Sequence, residues 1–400
     1  MNPDGSFDTN ADEPLRRAQL LHQSPWRGVL HITGGGARLL EELLTTPGAS
    51  ATVLEATVPY AESALAELLG RRPDQACAAP TARAMAMAAF QRARRLAPLA
   101  DPATLFGLGA TASLATGRAK RGAHRAHVAI QTVAATREAT VHFSGGGRPE
   151  TRLAGPRARD EQEALLLDGL WRELAVALDL PQWVAEGTTP NAPSRTGAGA
   201  GARSGARSTA STTHAPEAWR ELILGHRTTL ATQPHDGRLL LPGAFNPLHH
   251  GHERMLALAE ARTGRAGAYE LSIANVDKPL LDYAEIAHRL AQFEQPVWLT
   301  RLPTFVEKAR AFPETVFAVG ADTIERIAAP RYYGGVSGRD AALAELRDLG
   351  VSFCVFGRSL EGRFQVLDDL PLPPLLRALC IGVSAAEFND PISSSALRGG

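Results

Sequence analysis

The chain has 400 residues, 42 Lys+Arg against 42 Asp+Glu, and 44% apolar residues. That length exceeds a comfortable single domain, so two domains are expected, and the balanced charge gives no polyanion-binding bias and argues against a nucleic-acid partner. Three widely spaced cysteines (Cys77, Cys354 and Cys380) form neither a disulfide framework nor a zinc pattern, and no apolar run approaches a membrane span, so a soluble, cytoplasmic protein is expected.

Residues 1–24 are polar and are expected to be weakly ordered. A first α/β domain is expected over 25–186. It begins with a strand at 28–33, a glycine turn (Gly34-Gly35-Gly36) and a helix through Leu39, Leu40, Leu43 and Leu44. A strand at 51–58 and helices at 60–69 and 81–96 follow. Residues 107–113 read as a turn, 125–132 and 139–143 as strands, and 160–178 as a long helix. Gly107-Leu108-Gly109-Ala110-Thr111-Ala112 also fits the dinucleotide fingerprint G-x-G-x-x-A, without an acidic residue about 20 positions on to bind a ribose.

Residues 187–216 are rich in Gly, Ala, Ser, Thr and Arg and nearly lack large apolar side chains. Such a stretch buries too little surface to offset its ordering entropy, so a flexible linker is expected. A cut within 190–212 should then leave a folded, working C-terminal half. Residues 217–400 alternate apolar strand-like runs (238–242, 269–275, 296–300, 315–319, 351–356) with helical stretches. That pattern predicts a parallel sheet covered on both faces, with ligands at the carboxyl ends of its strands.

The most informative segment is Gly243-Ala244-Phe245-Asn246-Pro247-Leu248-His249-His250-Gly251-His252. It joins an apolar strand to a helix, the arrangement that sets backbone N–H groups against a phosphate. Its imidazoles add donors where a transferring phosphoryl group gathers charge. The alternatives are a loop that happens to hold histidines, or a metal site at His249, His250 and His252. No separate Cys/His/carboxylate cluster has ligand spacing, so no metal site is expected.

The segment resembles the H-x-G-H signature of the nucleotidyltransferase superfamily, in the form G-x-F-N-P-x-H-x-G-H. Ile392-Ser393-Ser394-Ser395-Ala396-Leu397-Arg398 is similar to that superfamily's I-S-S-T-x-x-R motif, with Ser395 in place of Thr. Phe317-Ala318-Val319-Gly320-Ala321-Asp322 resembles a segment of the nicotinate and nicotinamide mononucleotide adenylyltransferases. The resemblance implies that His249 and His252 are catalytic and that Gly243, Phe245, Asn246, Gly251, Ser393, Ser394 and Arg398 bind ATP and its phosphates. It further implies nucleotide contacts from Lys278, Arg289, Gly320, Asp322 and Arg358. Asp322 alternatively reads as a helix N-cap. Thr304-Phe305-Val306-Glu307-Lys308 reads as a wall for a pyridine nucleotide, and Arg331-Tyr332-Tyr333 offers an aromatic to stack on it. Mg²⁺ would arrive with ATP.

The first domain resembles the CinA C-terminal family, whose active members are nicotinamide-nucleotide amidases. The likeness rests on Thr33-Gly34-Gly35, Pro47-Gly48-Ala49-Ser50, Tyr60 with Leu68-Leu69-Gly70, Ala84-Met85-Ala86, the segment 107–113 and Gly155-Pro156-Arg157. Active members carry a Ser just before T-G-G and a Lys after the Tyr. Here the first site holds Leu30-His31-Ile32 and the second falls at Leu65, so a degenerate domain is expected, one that still binds a mononucleotide through its glycine turns.

The sequence therefore reads as two α/β domains: an N-terminal CinA-like domain and a C-terminal Rossmann-like nucleotidyltransferase domain. The expected reaction transfers AMP from ATP to a phosphorylated small-molecule acceptor, nicotinamide or nicotinate mononucleotide, with release of pyrophosphate. The rivals are another adenylyl- or cytidylyltransferase, acting on a phosphopantetheine or phospho-alcohol, and a non-catalytic nucleotide sensor. A homo-oligomer is compatible with the sequence.

Overall fold

A computed structural model describes residues 13–117, 122–143, 156–180, 206–360 and 363–389. The chain folds as two compact α/β units, Met1–Arg220 with Asp277–Ala284, and Glu221–Val276 with Glu285–Gly400.

The first unit runs α1 (Glu13–His22), β1 (Arg27–Thr33), α2 (Ala37–Thr45), α3 (Ala49–Thr52), β2 (Val53–Thr57), α4 (Glu62–Leu69), α5 (Ala79–Leu96), β3 (Leu105–Ser113), β4 (Arg125–Thr132), β5 (Ala135–Phe143), α6 (Pro156–Ala177) and β6 (Ala206–His214). These strands form one sheet in the order β2-β1-β3-β4-β5-β6. β1 is parallel to both β2 and β3, and the rest of the sheet is antiparallel. One face carries a core in which Leu30, Leu108, Val128, Leu166, Leu170 and Trp171 are buried.

Three expectations fail here. Residues 107–113 are a buried strand, not a turn. Its glycines exist for helix packing: a Cβ on Gly107 would stand 2.2 Å from the Ala86 carbonyl oxygen and the Phe90 nitrogen of α5, and one on Gly109 2.2 Å from the Ala82 oxygen. The dinucleotide-fingerprint reading falls with the turn. Residues 206–214 lie in the predicted linker, yet they form β6, in register with β5 from Ala135↔His214 to Phe143↔Ala206. Composition misled because an exposed edge strand gains ladder hydrogen bonds without burying apolar side chains. Finally, part of the predicted weakly ordered N-terminus is α1, whose Ala18 and Leu21 are fully buried. Residues 187–205 lie outside the described residues.

The first unit also takes in Asp277–Ala284, from deep within the expected second domain. Asp282 pairs with buried Arg83, which also bonds Glu138. The Tyr283 N–H donates to Thr136 Oγ1 at 3.0 Å and its hydroxyl to the Val133 carbonyl at 2.8 Å. A chain cut within 206–212 therefore breaks the first unit's sheet, and the C-terminal remnant keeps a segment that belongs to the first unit. The boundary between the two units therefore does not coincide with a single cut in the chain.

After α7 (Glu217–Leu224), the second unit runs β7 (Thr229–Ala231), β8 (Leu239–Pro242), α8 (His250–Thr263), β9 (Ala268–Ser272), α9 (Tyr283–Leu290), β10 (Val297–Thr300), α10 (Phe305–Ala311), β11 (Val316–Gly320), α11 (Ala321–Ala328), α12 (Val336–Asp348), β12 (Ser352–Phe356), the small hairpin β13 (Arg358–Leu360) and β14 (Arg363–Gln365), α13 (Pro374–Ala378) and β15 (Cys380–Gly382). The sheet order is β15-β12-β11-β8-β9-β10-β7, parallel except for the edge strand β7. From central β8 the chain moves out through β9 and β10, then crosses to β11 and β12 on the other side. This is a doubly wound sheet, and its strand order reverses between β8 and β11. Ligands of such sheets sit outside the carboxyl ends of the strands at that point.

Candidate functional site

The loop leaving β8 is shaped by packing. Phe245 is 1% exposed and sits in the left-handed region at φ 47°, a conformation that costs a non-glycine residue about 1–2 kcal/mol. Its ring meets three others edge-on, His252 at 5.1 Å, Tyr269 at 5.2 Å and Phe293 at 5.1 Å between centroids. Gly243 makes room for that ring: a Cβ there would stand 2.6 Å from Phe245 Cζ. These two residues thus have a packing reason for their identity.

His249 is the N-cap of α8, in extended conformation, and His250, Gly251 and His252 form its first turn. The His249 and His252 rings stack at 3.8 Å with 26° between planes, both half-buried, while His250 is exposed. The backbone N–H of His249 donates to His252 Nδ1 at 3.3 Å. An imidazole that accepts at Nδ1 carries its proton on Nε2, so this contact fixes a neutral donor tautomer. Burial, then the nearby His249 and Arg358, hold the His252 pKa down to about 3. The ring is therefore neutral at physiological pH and offers one N–H beside the positive end of a helix.

Across the switch point, Gly320 ends β11 and caps α11 with no side-chain capping bond. Asp322 thus does not act as that cap. A Cβ on Gly320 would stand 2.6 Å from Asp322 Oδ1 and 2.9 Å from Arg358 Nε, so a carboxylate and a guanidinium close over this residue and would have to shift for any side chain. Asp322 also pairs with Arg326 at 3.3 Å, and Arg358 reaches Met255 Sδ of α8 at 3.3 Å. Asp322 and Arg358 thus meet at Gly320, and Arg358 reaches across to α8, the helix that carries His252 on its first turn.

Other expected residues fall elsewhere. Arg289 is turned onto its own surroundings: it pairs with Glu285 at 2.8 Å and donates to the Ala244 carbonyl at 2.8 Å, bracing the loop. Lys278 lies in the segment grouped with the first unit. Ser393, Ser394 and Arg398 lie outside the described residues. The expected pyridine wall at 304–308 is corrected. Thr304 and Glu307 form a capping box at the start of α10, and Lys308, 5% exposed, donates to buried Glu270 at 2.6 Å. A buried, paired ammonium is held by the core rather than offered to a ligand. Phe305 packs edge-on against Phe317 and Phe353. Tyr332 is exposed and lies under Arg331, whose guanidinium carbon is 4.9 Å from its ring centre.

Gln292 belongs to the loop's support although no motif includes it. Its Oε1 accepts the Leu248 N–H at 2.8 Å and its Nε2 donates to the Phe245 carbonyl at 3.0 Å. No single-sequence signal marks such a residue.

The first unit has its own switch point, between β1 and β3. His31, two residues before the Thr33-Gly34-Gly35 turn, is buried, hydrogen-bonded to Thr57 Oγ1 at 2.7 Å, and shifted by burial to a pKa of about 4. Leu65 sits in an apolar cluster with Leu69 and Met85. The glycine turn is filled by the chain itself. The Gly36 N–H donates to Glu163 Oε2 at 2.7 Å, and the Ala115 N–H to Gln162 Oε1 at 2.7 Å. Arg159 meanwhile reaches the Gly34 carbonyl at 3.3 Å. Among the described residues, no group of three or more His, Cys, Asp or Glu is placed to hold a metal, and no helix is long and apolar enough to cross a membrane.

No protein-family model matches the chain, and no curated protein does. Among solved structures it is similar to the competence/damage-inducible protein CihA of Agrobacterium tumefaciens, at 20% identity and a TM-score of 0.31, covering 42% of this chain and 96% of that one. It is also similar to a competence-damaged protein (CinA) superfamily protein of Escherichia coli, at 19% identity and TM-score 0.31, covering 42% of this chain and 91% of that one. A superfamily protein of Klebsiella pneumoniae matches at 16% identity and TM-score 0.27, covering 41% and 97% respectively.

Proposed function

We propose that the second unit is an adenylyltransferase that transfers AMP from ATP to nicotinamide or nicotinate mononucleotide. A phosphate oxygen of the acceptor attacks the α-phosphorus of ATP. The bond from that phosphorus to the bridging oxygen breaks, and pyrophosphate leaves. No protein nucleophile takes part, so positioning and charge stabilisation carry the rate. The observation that carries this reading is His252 on the first turn of a helix at the switch point, its Nδ1 taken by the His249 N–H so that Nε2 is left to donate. Such a group donates to a phosphate oxygen without first losing or gaining a proton. In this reading Arg358, which reaches α8 at Met255, supplies positive charge, and Asp322 accepts from ribose hydroxyls. Mg²⁺ enters with ATP as part of the substrate and screens its phosphates.

The first unit we read as a degenerate amidase. His31 and Leu65 stand at the positions that matter, and neither supplies a nucleophilic hydroxyl or a base for one.

The test is incubation of the full chain with ATP, Mg²⁺ and a panel of phosphorylated acceptors, following pyrophosphate and ammonia. Pyrophosphate release with a pyridine mononucleotide, without ammonia, is expected. Release with pantetheine phosphate alone would transfer the proposal to another acceptor. No release with any acceptor would leave the nucleotide-sensor reading.

A further inference from the structure

The turn after β8 carries the two stacked histidines. Polar support for its backbone comes from α9 and the residues just beyond it. Arg289 donates to the Ala244 carbonyl at 2.8 Å, Gln292 bonds the Leu248 N–H at 2.8 Å and the Phe245 carbonyl at 3.0 Å, and Phe293 packs on the Phe245 ring at 5.1 Å. Gln292 differs from its neighbours in kind. One side chain satisfies a backbone donor and a backbone acceptor three residues apart. A primary amide does this; a carboxylate lacks the donor, and a hydrocarbon lacks both. The orientation of the amide follows from its partners, since an N–H needs the Leu248 contact to be oxygen.

The two bonds frame Phe245, whose backbone at φ 47° is held against its preference. They end at Leu248, directly before His249. It is the His249 N–H that meets His252 Nδ1 at 3.3 Å. A turn free to relax at 245–248 carries that N–H away from the ring.

We propose that Gln292 is a positioning residue: by clamping the 245–248 turn it keeps the His249 N–H on His252 Nδ1, and so keeps the His252 proton on Nε2. The part of this inference that concerns turnover rests on the adenylyltransferase reading. The part that concerns the His252 tautomer does not.

The experiment uses full-length protein with ¹⁵N-labelled histidine, as wild type, Gln292→Ala and Gln292→Glu. Long-range ¹H–¹⁵N correlation reads which ring nitrogen of His252 bears the proton. Wild type should show the single Nε2–H form. Gln292→Ala should show a mixture of the two tautomers. Gln292→Glu keeps the acceptor for Leu248 and loses the donor to Phe245, so it should lie between them. In the same preparations kcat should fall on the order of 10- to 100-fold in the alanine variant, as for a misplaced group. KM for ATP should rise as well, because Phe245 and Asn246 of the released turn are expected phosphate contacts, so the tautomer readout and not the kcat-against-KM split decides the role. A folded alanine variant that retains pure Nε2–H at His252 overturns the proposal whatever its turnover. If alanine does not fold, a glutamate variant with the wild-type tautomer does the same. If the wild type releases no pyrophosphate, the functional reading fails while the tautomer measurement still decides the role of Gln292.

Discussion

Each unit places a glycine turn after its first parallel strand, opening a helix at the point where its sheet reverses strand order, and the two have opposite chemistry. In the first unit, α6 leans side chains into the turn. Glu163 takes the Gly36 amide there, while Gln162 takes the Ala115 amide just after β3. In the second, Gln292 and Arg289 hold the β8–α8 loop through its Ala244, Phe245 and Leu248 backbone groups, leaving His249 and His252 half-buried rather than enclosed. Topology offers a cradle in both cases. What differs is what stands on the turn: a carboxylate from another helix in the first unit, and a pair of imidazoles from the helix itself in the second.

The largest effect expected from breaking this contrast is at His252. Substitution to Ala should lower turnover by at least ~10²-fold, the scale for loss of one preorganised donor. Steady-state pyrophosphate release measures it, and a wild-type rate would remove His252 from the reaction. Next comes Gly107→Ala, which drives a Cβ into the backbone of α5 with no flexible atom to yield. It should destabilise the first unit by about 1–3 kcal/mol, read as a lowered urea midpoint, with the second unit's turnover unchanged.

Acid should act on both units. His31 and His127 are shifted to about 4 and His252 to about 3, from 6.5, in each case chiefly by burial. Each is favoured neutral in the fold, so the unfolded chain takes up these protons first. Their contribution is complete above about 6.5 and is lost progressively as pH falls from there through 4 and then 3. Thermal melting across that range should show it, and replacing His31 and His127 with Gln should flatten the profile. Turnover should have no inflection from His252 near neutrality. The mildest change is Glu163→Ala, which strips the acceptor from the Gly36 amide and should weaken the first unit by about 1–2 kcal/mol. Faster hydrogen exchange at the start of α2 would report it.

Much of the second unit is written in its sequence because buried parallel strands are continuous apolar runs. The run around Leu239–Leu241 and those at β11 and β12 lie where the pattern puts them. The H-x-G-H turn is legible for the same reason, being punctuated by Gly and Pro between a strand and a helix. Residues whose role depends on a distant neighbour are not legible. Gly107 and Gly109 look like turn glycines until α5 is laid across them. The run Ser208-Thr209-Ala210-Ser211-Thr212 looks like a linker until β5 is beside it. Lys308 looks like a surface cation until Glu270 is found under it. Gln292 looks like any polar residue until the turn it clamps is in view.

The assignment of Asp277–Ala284 to the first unit bears on how the protein is made. Arg83 and Thr136 of that unit find Asp282 and Tyr283 only after the intervening stretch from Glu221 to Val276 has been synthesised. At roughly 5–20 residues per second, translation keeps the first unit waiting several seconds for its last piece. During that interval it stands on the ribosome with a guanidinium and a threonine still lacking these partners, a window in which chaperones can act.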